Sequence, residues 1–138
     1  MTLSTSAPIE RAVVTTLRAN GTLKSALTGG IHEAFAPEKT PYPLLTYQEV
    51  YSPYEFIWDS AMIHAGLDIL VWAKSSVDAK NIDALVHQTL HDASLSVDGQ
   101  TTLICRRVAD LRNYDVDDEG RKVYAVGGTY EITTDQPI

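Results

Sequence analysis

Two histidines one helical turn apart are the clearest candidates for chemistry in this sequence. His87 and His91 have the i, i+4 spacing with which zinc proteases hold their metal on one face of a helix. Gln88 stands where such an enzyme has its general-base glutamate, and an amide cannot take a proton from metal-bound water. Asp83 extends the row by one more turn, but helices often carry polar rows without a metal. The pattern therefore favours solvated histidines on the polar face, and we predict no metal site here.

An acidic segment at residues 115–120 resembles the first half of a calcium-binding loop. Its oxygen-bearing side chains alternate and are followed by Gly120. If Asp115 is position one of such a loop, Val126 occupies position twelve, where a bidentate glutamate must close the coordination shell. Because that ligand is missing, we predict an acidic hairpin turn.

Other catalytic arrangements lack a local signature. Cys105 and the four histidines could supply a nucleophile and a base, but no serine elbow or comparable motif occurs. The glycine pairs at 29–30 and 127–128 lack the spacing and the basic residue of a phosphate-binding loop, and we predict a helix stop and a close-packed or bent strand there. Cys105 is the single cysteine, which excludes an intrachain disulfide and favours a small buried side chain. We predict no catalytic residue and no cofactor.

Composition predicts one acidic globular domain over residues 1–138. The 138 residues include 11 Lys and Arg against 18 Asp and Glu, a formal charge of −7, with 44% hydrophobic residues. Disordered chains and disulfide scaffolds are excluded. A negative field disfavours proteins that bind nucleic acid or anionic membranes by neutralising phosphates. The N-terminus shows no signal peptide, and the apolar stretch 63–72 is too short to span a membrane, so we expect no export signal and no membrane partner.

Hydrophobic periodicity predicts an α+β fold: a mainly antiparallel sheet of about five strands with two main helices packed on one face. Ser6 and Pro8 mark the start of the first helix, and Ser75 marks the start of the second. Asp83 is placed on the polar face of that second helix. The predicted helices cover residues 9–17, 23–27 and 75–90, and the predicted strands cover 31–35, 44–51, 63–72, 101–111 and 123–132.

An aromatic cluster lies in the predicted connection 51–60. Exposing aromatic side chains in a loop is costly, so they either fold back into the core or form a contact surface. If the connection is a protruding hairpin, it is our first candidate for a subunit or partner contact. The cluster consists of Tyr51, Tyr54, Phe56, Ile57 and Trp58.

A local basic group stands out in this acidic chain. Arg106, Arg107 and Arg112 lie on one predicted strand, with Arg121 and Lys122 near the opposing strand. A solvated face is the simplest interpretation, and a charge-complementary contact with a neighbouring acidic subunit is the functional one.

Several segments together resemble the tail completion, or tail terminator, proteins of long-tailed bacteriophages. They are ALTGGI (26–31), PYPLLTY (41–47) and LDILVWA (67–73), which runs into the helix 75–90. The acidic turn at 115–120 and the strand after it are similar to the closing section of that family. The resemblance covers nearly the whole chain. It rests on the order of elements, on the strand around Trp72 that leads directly into a helix, and on the overall length.

The resemblance implies a structural virion protein rather than an enzyme. It implies a six-fold ring of identical subunits on the head-proximal end of the tail tube, which stops tube growth and provides a docking surface for the head. The implied partners are copies of this chain, the major tail tube protein and a head completion or connector protein, with DNA passing through the lumen without specific binding. Assembly would occur in the host cytoplasm. A ring also needs head-to-tail contacts between two different surfaces.

Three other functions stay open on the sequence. The first is another phage neck component, such as a head completion or head-tail connector protein. The second is a small binding module that dimerises through its sheet, which would have a closed pocket. The third is a metal hydrolase that uses His87 and His91.

Overall fold

The computed structural model describes residues 6–117 and 119–137. Within them the chain forms helices and strands in a mixed order that begins with two helices and ends with a long hairpin. In chain order these elements are α1 (Ala7–Ala19), α2 (Gly21–Ala26), β1 (Ile31–Glu33), β2 (Leu44–Tyr51), β3 (Tyr54–Ile57), β4 (Ser60–Ala73), α3 (Ser76–Leu90), β5 (Thr101–Val116) and β6 (Lys122–Pro137).

One sheet contains all of these strands in the order β1-β2-β4-β6-β5, with β3 beside β4. Only β1 and β2 are parallel, and every other pair is antiparallel. The predicted α+β class is confirmed. The sheet has one strand more than the five expected, because β3 forms inside the predicted connection 51–60 and follows β2 along the same side of β4 after a break at Ser52 and Pro53.

The hydrophobic core lies between the sheet and the three helices, which pack on one face. Alternate residues of β4, from Ala61 to Ala73, are buried on this helix-covered face. The members of this row from Ile63 to Val71 meet Ile9, Val13 and Leu17 of α1 together with Val86 and Leu90 of α3 in one cluster. Burying an Ile or Leu side chain stabilises a fold by about 2 kcal/mol, so this stripe pattern determines which face of the sheet receives the helices. We call the opposite side of the sheet the open face.

α1 and α3 begin where the sequence predicts them, but the Ser6 side chain does not cap α1, because its hydroxyl donates to Glu49 instead. Pro8 lies in the first turn of α1, and the Ser75 hydroxyl accepts a hydrogen bond from the Asp78 amide at the start of α3. Asn20 has two functions. Its side-chain oxygen caps α2 through the Leu23 amide at 3.1 Å, and its amide nitrogen donates to the Thr89 hydroxyl of α3 at 2.8 Å. The short helix is thereby fixed to the long one. None of the described helices is long and apolar enough to cross a membrane.

The last two strands are longer than predicted. The sequence predicts strands at 101–111 and 123–132, whereas β5 and β6 are sixteen residues long each and pair along most of their length. Polar residues at the ends join the sheet because each strand supplies the other with backbone partners, a long-range effect that overrides local propensity. β1 is shorter than predicted and ends at Glu33, since Ala34 has a positive φ of 59°.

A close approach explains the glycine pair in β6. A Cβ atom on Gly127 would lie 1.8 Å from the carbonyl oxygen of Ile69 on β4, and one on Gly128 would lie 2.3 Å from Nε of Arg107. The predicted close packing at 127–128 is confirmed, and it makes room for a buried arginine.

Candidate interaction surfaces

Asp83, His87 and His91 do not form a three-ligand metal site on α3, the arrangement that their spacing in the sequence would allow. The rings of His87 and His91 are 5.0 Å apart between centroids, but Asp83 points away from them and is buried. The expected placement of Asp83 on the solvated face is wrong. No cluster of three or more metal-ligating side chains occurs among residues 6–117 and 119–137.

Asp83 is turned inward by an ion pair with Arg107. Nη1 of Arg107 donates to both carboxylate oxygens of Asp83 at 3.0 Å, and the two side chains are only 6% and 10% exposed. The same guanidinium donates to the Gly127 carbonyl and lies 5.8 Å from the centre of the Tyr130 ring, and its Nε is 2.8 Å from a carboxylate oxygen of Asp110. This network joins α3 to β5 and β6.

The buried arginine corrects the expected basic group. Arg107 packs on the helix-covered face and is therefore not part of a solvated patch. Arg106 lies on the open face, with Nη2 4.0 Å from the carboxylate of Glu131, whereas Arg112 is exposed on the helix-covered face. The three arginine side chains therefore have different environments. Neighbouring residues of a strand alternate between its faces, and a bulge interrupts the register between Arg107 and Ala109.

Burial also sets the acidity of two groups beside this network. It raises the pKa of the Tyr130 phenol to about 12, although the positive charge of Arg107 opposes the change. It raises the pKa of the Cys105 thiol to about 11, with a smaller contribution from Asp92. Cys105 is 2% exposed, so the prediction of a small buried side chain is confirmed.

The aromatic cluster forms the end of a hairpin. β3 and β4 are joined by a turn at Trp58 and Asp59, and we call Tyr54, Phe56, Ile57 and Trp58 the aromatic tip. The Tyr54 and Phe56 rings are stacked, 6.0 Å apart at 9°, and the Trp58 side chain is 98% exposed. The alternative that these aromatics fold back into the core is wrong.

Tyr51 does not belong to the tip. It lies at the end of β2, where its ring covers Gly66 on the open face, because a Cβ atom on Gly66 would be 2.2 Å from the Tyr51 ring. Of the five aromatic or apolar residues singled out from the sequence, the structure therefore brings four together.

Side-chain hydrogen bonds support the tip from the open face. Glu55 lies 3.0 Å from Nε2 of His64, and Nδ1 of the same ring is 3.1 Å from the Thr133 hydroxyl. These contacts link β3, β4 and β6. The exposed aromatics therefore stand on three connected strands.

The acidic segment forms the predicted hairpin turn between β5 and β6, but the turn is shorter than 115–120 because Asp115 and Val116 belong to β5. The Asp117 side chain accepts hydrogen bonds from the amides of Glu119 and Arg121, at 2.9 and 2.8 Å. Asp118 lies outside the described residues. The carboxylate of Asp117 is thus engaged in shaping the turn.

An open groove of about 890 Å³ lies at the same end of the molecule as this turn. It runs between the loop 34–42 and the β5–β6 turn, and Trp72 lies in its lining. The Trp72 indole donates to the Thr46 hydroxyl at 3.0 Å, and Phe35 at the rim is 86% exposed. Sequence reasoning missed the groove because its walls come from segments that lie far apart in the sequence.

A second groove, of about 540 Å³, carries three glutamates at the β1 edge of the sheet. Glu10 comes from α1, Glu33 from β1 and Glu49 from β2, and we call this feature the glutamate groove. Burial, and then the negative charges of Glu33 and Glu49, raise the pKa of Glu10. Glu49 accepts a hydrogen bond from the Ser6 hydroxyl at 2.6 Å. No spacing in the sequence signals this site, because each carboxylate belongs to a different element.

Comparison with known proteins identifies the family. The family model described as tail completion protein gp17 matches residues 11–134. This chain belongs to that family. The predicted resemblance to phage tail completion proteins is therefore confirmed, and the chain is a structural protein of a phage tail.

A solved structure has the same fold as this tail completion family member. It is a chain of the "Virion of native gene transfer agent (GTA) particle", with a TM-score of 0.69 and 12% sequence identity. The similarity covers 97% of this chain and 99% of that chain. A search among curated proteins found no match.

Proposed function

We propose that this tail completion protein forms a six-membered ring at the head-proximal end of the tail tube. The ring ends polymerisation of the tube and presents a docking surface for a head completion or connector protein. The observation that carries this proposal is the family match over residues 11–134. The proposed role is structural, with no catalytic step.

The distribution of surfaces supports a ring. A closed ring of identical subunits needs a heterologous contact, in which two different surfaces of one subunit meet the two neighbours. The sheet has two dissimilar edges, because the three-residue β1 lies at one and the sixteen-residue β5 at the other. A subunit with a single exposed, self-complementary surface would instead favour a two-fold dimer.

The aromatic tip supports a partner contact at one end of the subunit. Aromatic side chains dominate the well-packed centres of protein interfaces. Phe56 is 62% exposed and Trp58 98% exposed, at the end of a hairpin that other strands support. We assign this tip to the contact with the tail tube or with the head protein. DNA then passes through the lumen without specific binding, which suits a chain with a net charge of −7.

The experiment that tests this function is a gene deletion with complementation. Without the protein, tail tubes grow past their normal length and heads accumulate without tails. Purified protein added to isolated tubes restores a capped end that electron microscopy detects. Tubes of normal length that lack only heads would instead indicate a head completion protein. Normal particles in the deletion strain would contradict the proposal.

A further inference from the structure

We propose that Arg112 of one subunit inserts into the glutamate groove of the next subunit, so that the β5 edge of each copy packs against the β1 edge of its neighbour. This inference rests on the proposed ring, for which it names the subunit contact. The partner is a second copy of this chain.

The first support is an acidic site that no described cationic side chain neutralises. In the described part of the chain, no Lys, Arg or His lies within ion-pair distance of Glu10, Glu33 or Glu49. Three carboxylates that converge on one groove repel one another, and the raised pKa of Glu10 reflects burial first and this repulsion second. A guanidinium from outside would relieve the repulsion and form paired hydrogen bonds with a carboxylate.

The second support is an exposed cation on the opposite edge. Arg112 lies in β5, and its guanidinium donates to the carbonyl of the adjacent Leu111. The connection 91–100 covers the start of β5, where the Asp92 amide donates to the Cys105 carbonyl at 2.8 Å. From residue 108 to 116, no backbone hydrogen bond joins β5 to any described segment except β6. The edge that carries Arg112 is therefore open to a neighbour.

The third support is the shared face of the two sites. Arg112 pairs across the sheet with Val126, then Val71, then Leu45, and this row ends at Ile31 of β1, two residues from Glu33. The row consists of residues on the helix-covered face. When two copies are placed edge to edge, Arg112 and the glutamates thus lie on the same side and at nearly the same level.

The contact is made by side chains rather than by a continuous sheet. The amides of Tyr114 and Val116 already bond to the Asn113 and Asp115 side chains, at 2.8 and 2.7 Å. β1 is only three residues long, and its Glu33 carbonyl accepts from the Phe35 amide. These two edges have few free backbone groups to pair with a strand of a neighbouring copy. Charge complementarity between Arg112 and the glutamate groove therefore determines how two copies pair. Exposed Val108 on β5 and Val50 beside the groove add apolar area at the same two edges.

The test uses two charge-reversal variants, Arg112→Glu and Glu33→Arg, in particles made without the native gene. Arg112→Glu alone brings a fourth carboxylate to every subunit contact, and we expect at least a tenfold loss of the chain from particles, roughly the effect of 1.4 kcal/mol per contact. Glu33→Arg alone leaves Glu10 and Glu49 to balance the two guanidinium groups, so we expect a smaller loss. Co-expressed, the two variants can alternate around a six-membered ring so that every contact is complementary. Incorporation should then return to within about threefold of the native level.

The control is Lys80→Glu on the exposed side of α3, which changes the net charge as Arg112→Glu does. It should leave incorporation unchanged. Circular dichroism checks that each variant folds. Native incorporation of the Arg112→Glu variant, or failure of the mixture to restore incorporation, would overturn the inference while leaving the ring proposal intact. Absence of the native chain from tail ends would instead overturn the proposed function itself.

Discussion

The pair of Asp83 and Arg107 is the residue-scale feature on which the packing of α3 depends. Asp83→Asn leaves the guanidinium charge buried without its main partner, and breaking such a pair costs about 3 kcal/mol. We expect the free energy of unfolding to fall by about that amount in urea titrations. The reason is burial, since the Arg107 side chain is only 6% exposed.

The matched control is Asp110→Asn. It removes the same charge from the same guanidinium, but the Asp110 side chain is 68% exposed, and exposed ion pairs contribute less than about 1 kcal/mol. If both substitutions lowered stability equally, burial would not be the source of the effect.

Cys105 gives a pH-dependent prediction. Well below pH 9 the thiol is protonated in both the folded and the unfolded chain, so it adds no pH dependence there. Between pH 9 and about 11 the unfolded chain loses the proton and the folded chain keeps it, so the free energy of unfolding falls by about 2 kcal/mol. Denaturant titrations at several pH values measure this fall.

The Cys105→Ala variant isolates the contribution of the thiol. Its stability profile lacks the thiol's share of the loss between pH 9 and 11, while the loss due to Tyr130, whose pKa burial also raises, is present in both proteins. Parallel profiles for the two proteins would show that the thiol does not titrate as its burial requires.

Among the elements, we expect the tip of the β3–β4 hairpin to contribute to a partner contact but little to the stability of the fold. Trp58 has a φ of 42°, a conformation that costs a non-glycine residue about 1 kcal/mol. Trp58→Gly removes that strain together with a fully exposed side chain, so we expect the free energy of unfolding to stay unchanged or rise by up to about 1 kcal/mol. The number of complete particles should nevertheless fall about tenfold, as expected when an aromatic interface anchor is lost.

Electron microscopy of lysates counts complete particles for this test. Val77→Ala is the control, because it trims another exposed apolar side chain, on α3, and should preserve the particle count. If the Trp58→Gly variant gave as many complete particles as the native protein, the aromatic tip would not be a partner contact.

Element types follow from local patterns, which is why most of them could be predicted. The alternation in β4 and the 3.6-residue period of α1 and α3 each reflect burial of one face. β3 was missed because its four residues are all exposed, so they show no alternation of buried and solvated positions. The ends of β5 and β6 were missed because only pairing with a distant strand makes polar residues extend.

Interaction surfaces were harder to predict than elements for a physical reason. The aromatic tip is contiguous in sequence and could be found as a cluster. The glutamate groove joins positions 10, 33 and 49, and its three carboxylates meet only after α1 packs beside β1 and β2. Arg107 was misplaced because its burial depends on Asp83 and on the space above Gly128, both distant in sequence.

For the whole molecule, two contact directions explain how one small domain could serve in a ring. The aromatic tip projects from the end of the β3–β4 hairpin, while β1 and β5 form the two edges of the sheet. Contacts along the edges would join copies around the ring. Contacts at the tip would then join the ring to the tube or the head.

The central claim is tested most directly by counting this chain in purified particles. Quantitative mass spectrometry against the major tail tube and capsid proteins gives the copy number. One closed ring predicts about six copies per particle. A copy number that scales with tail length, or the absence of the chain from complete particles, would contradict the ring at the tube end.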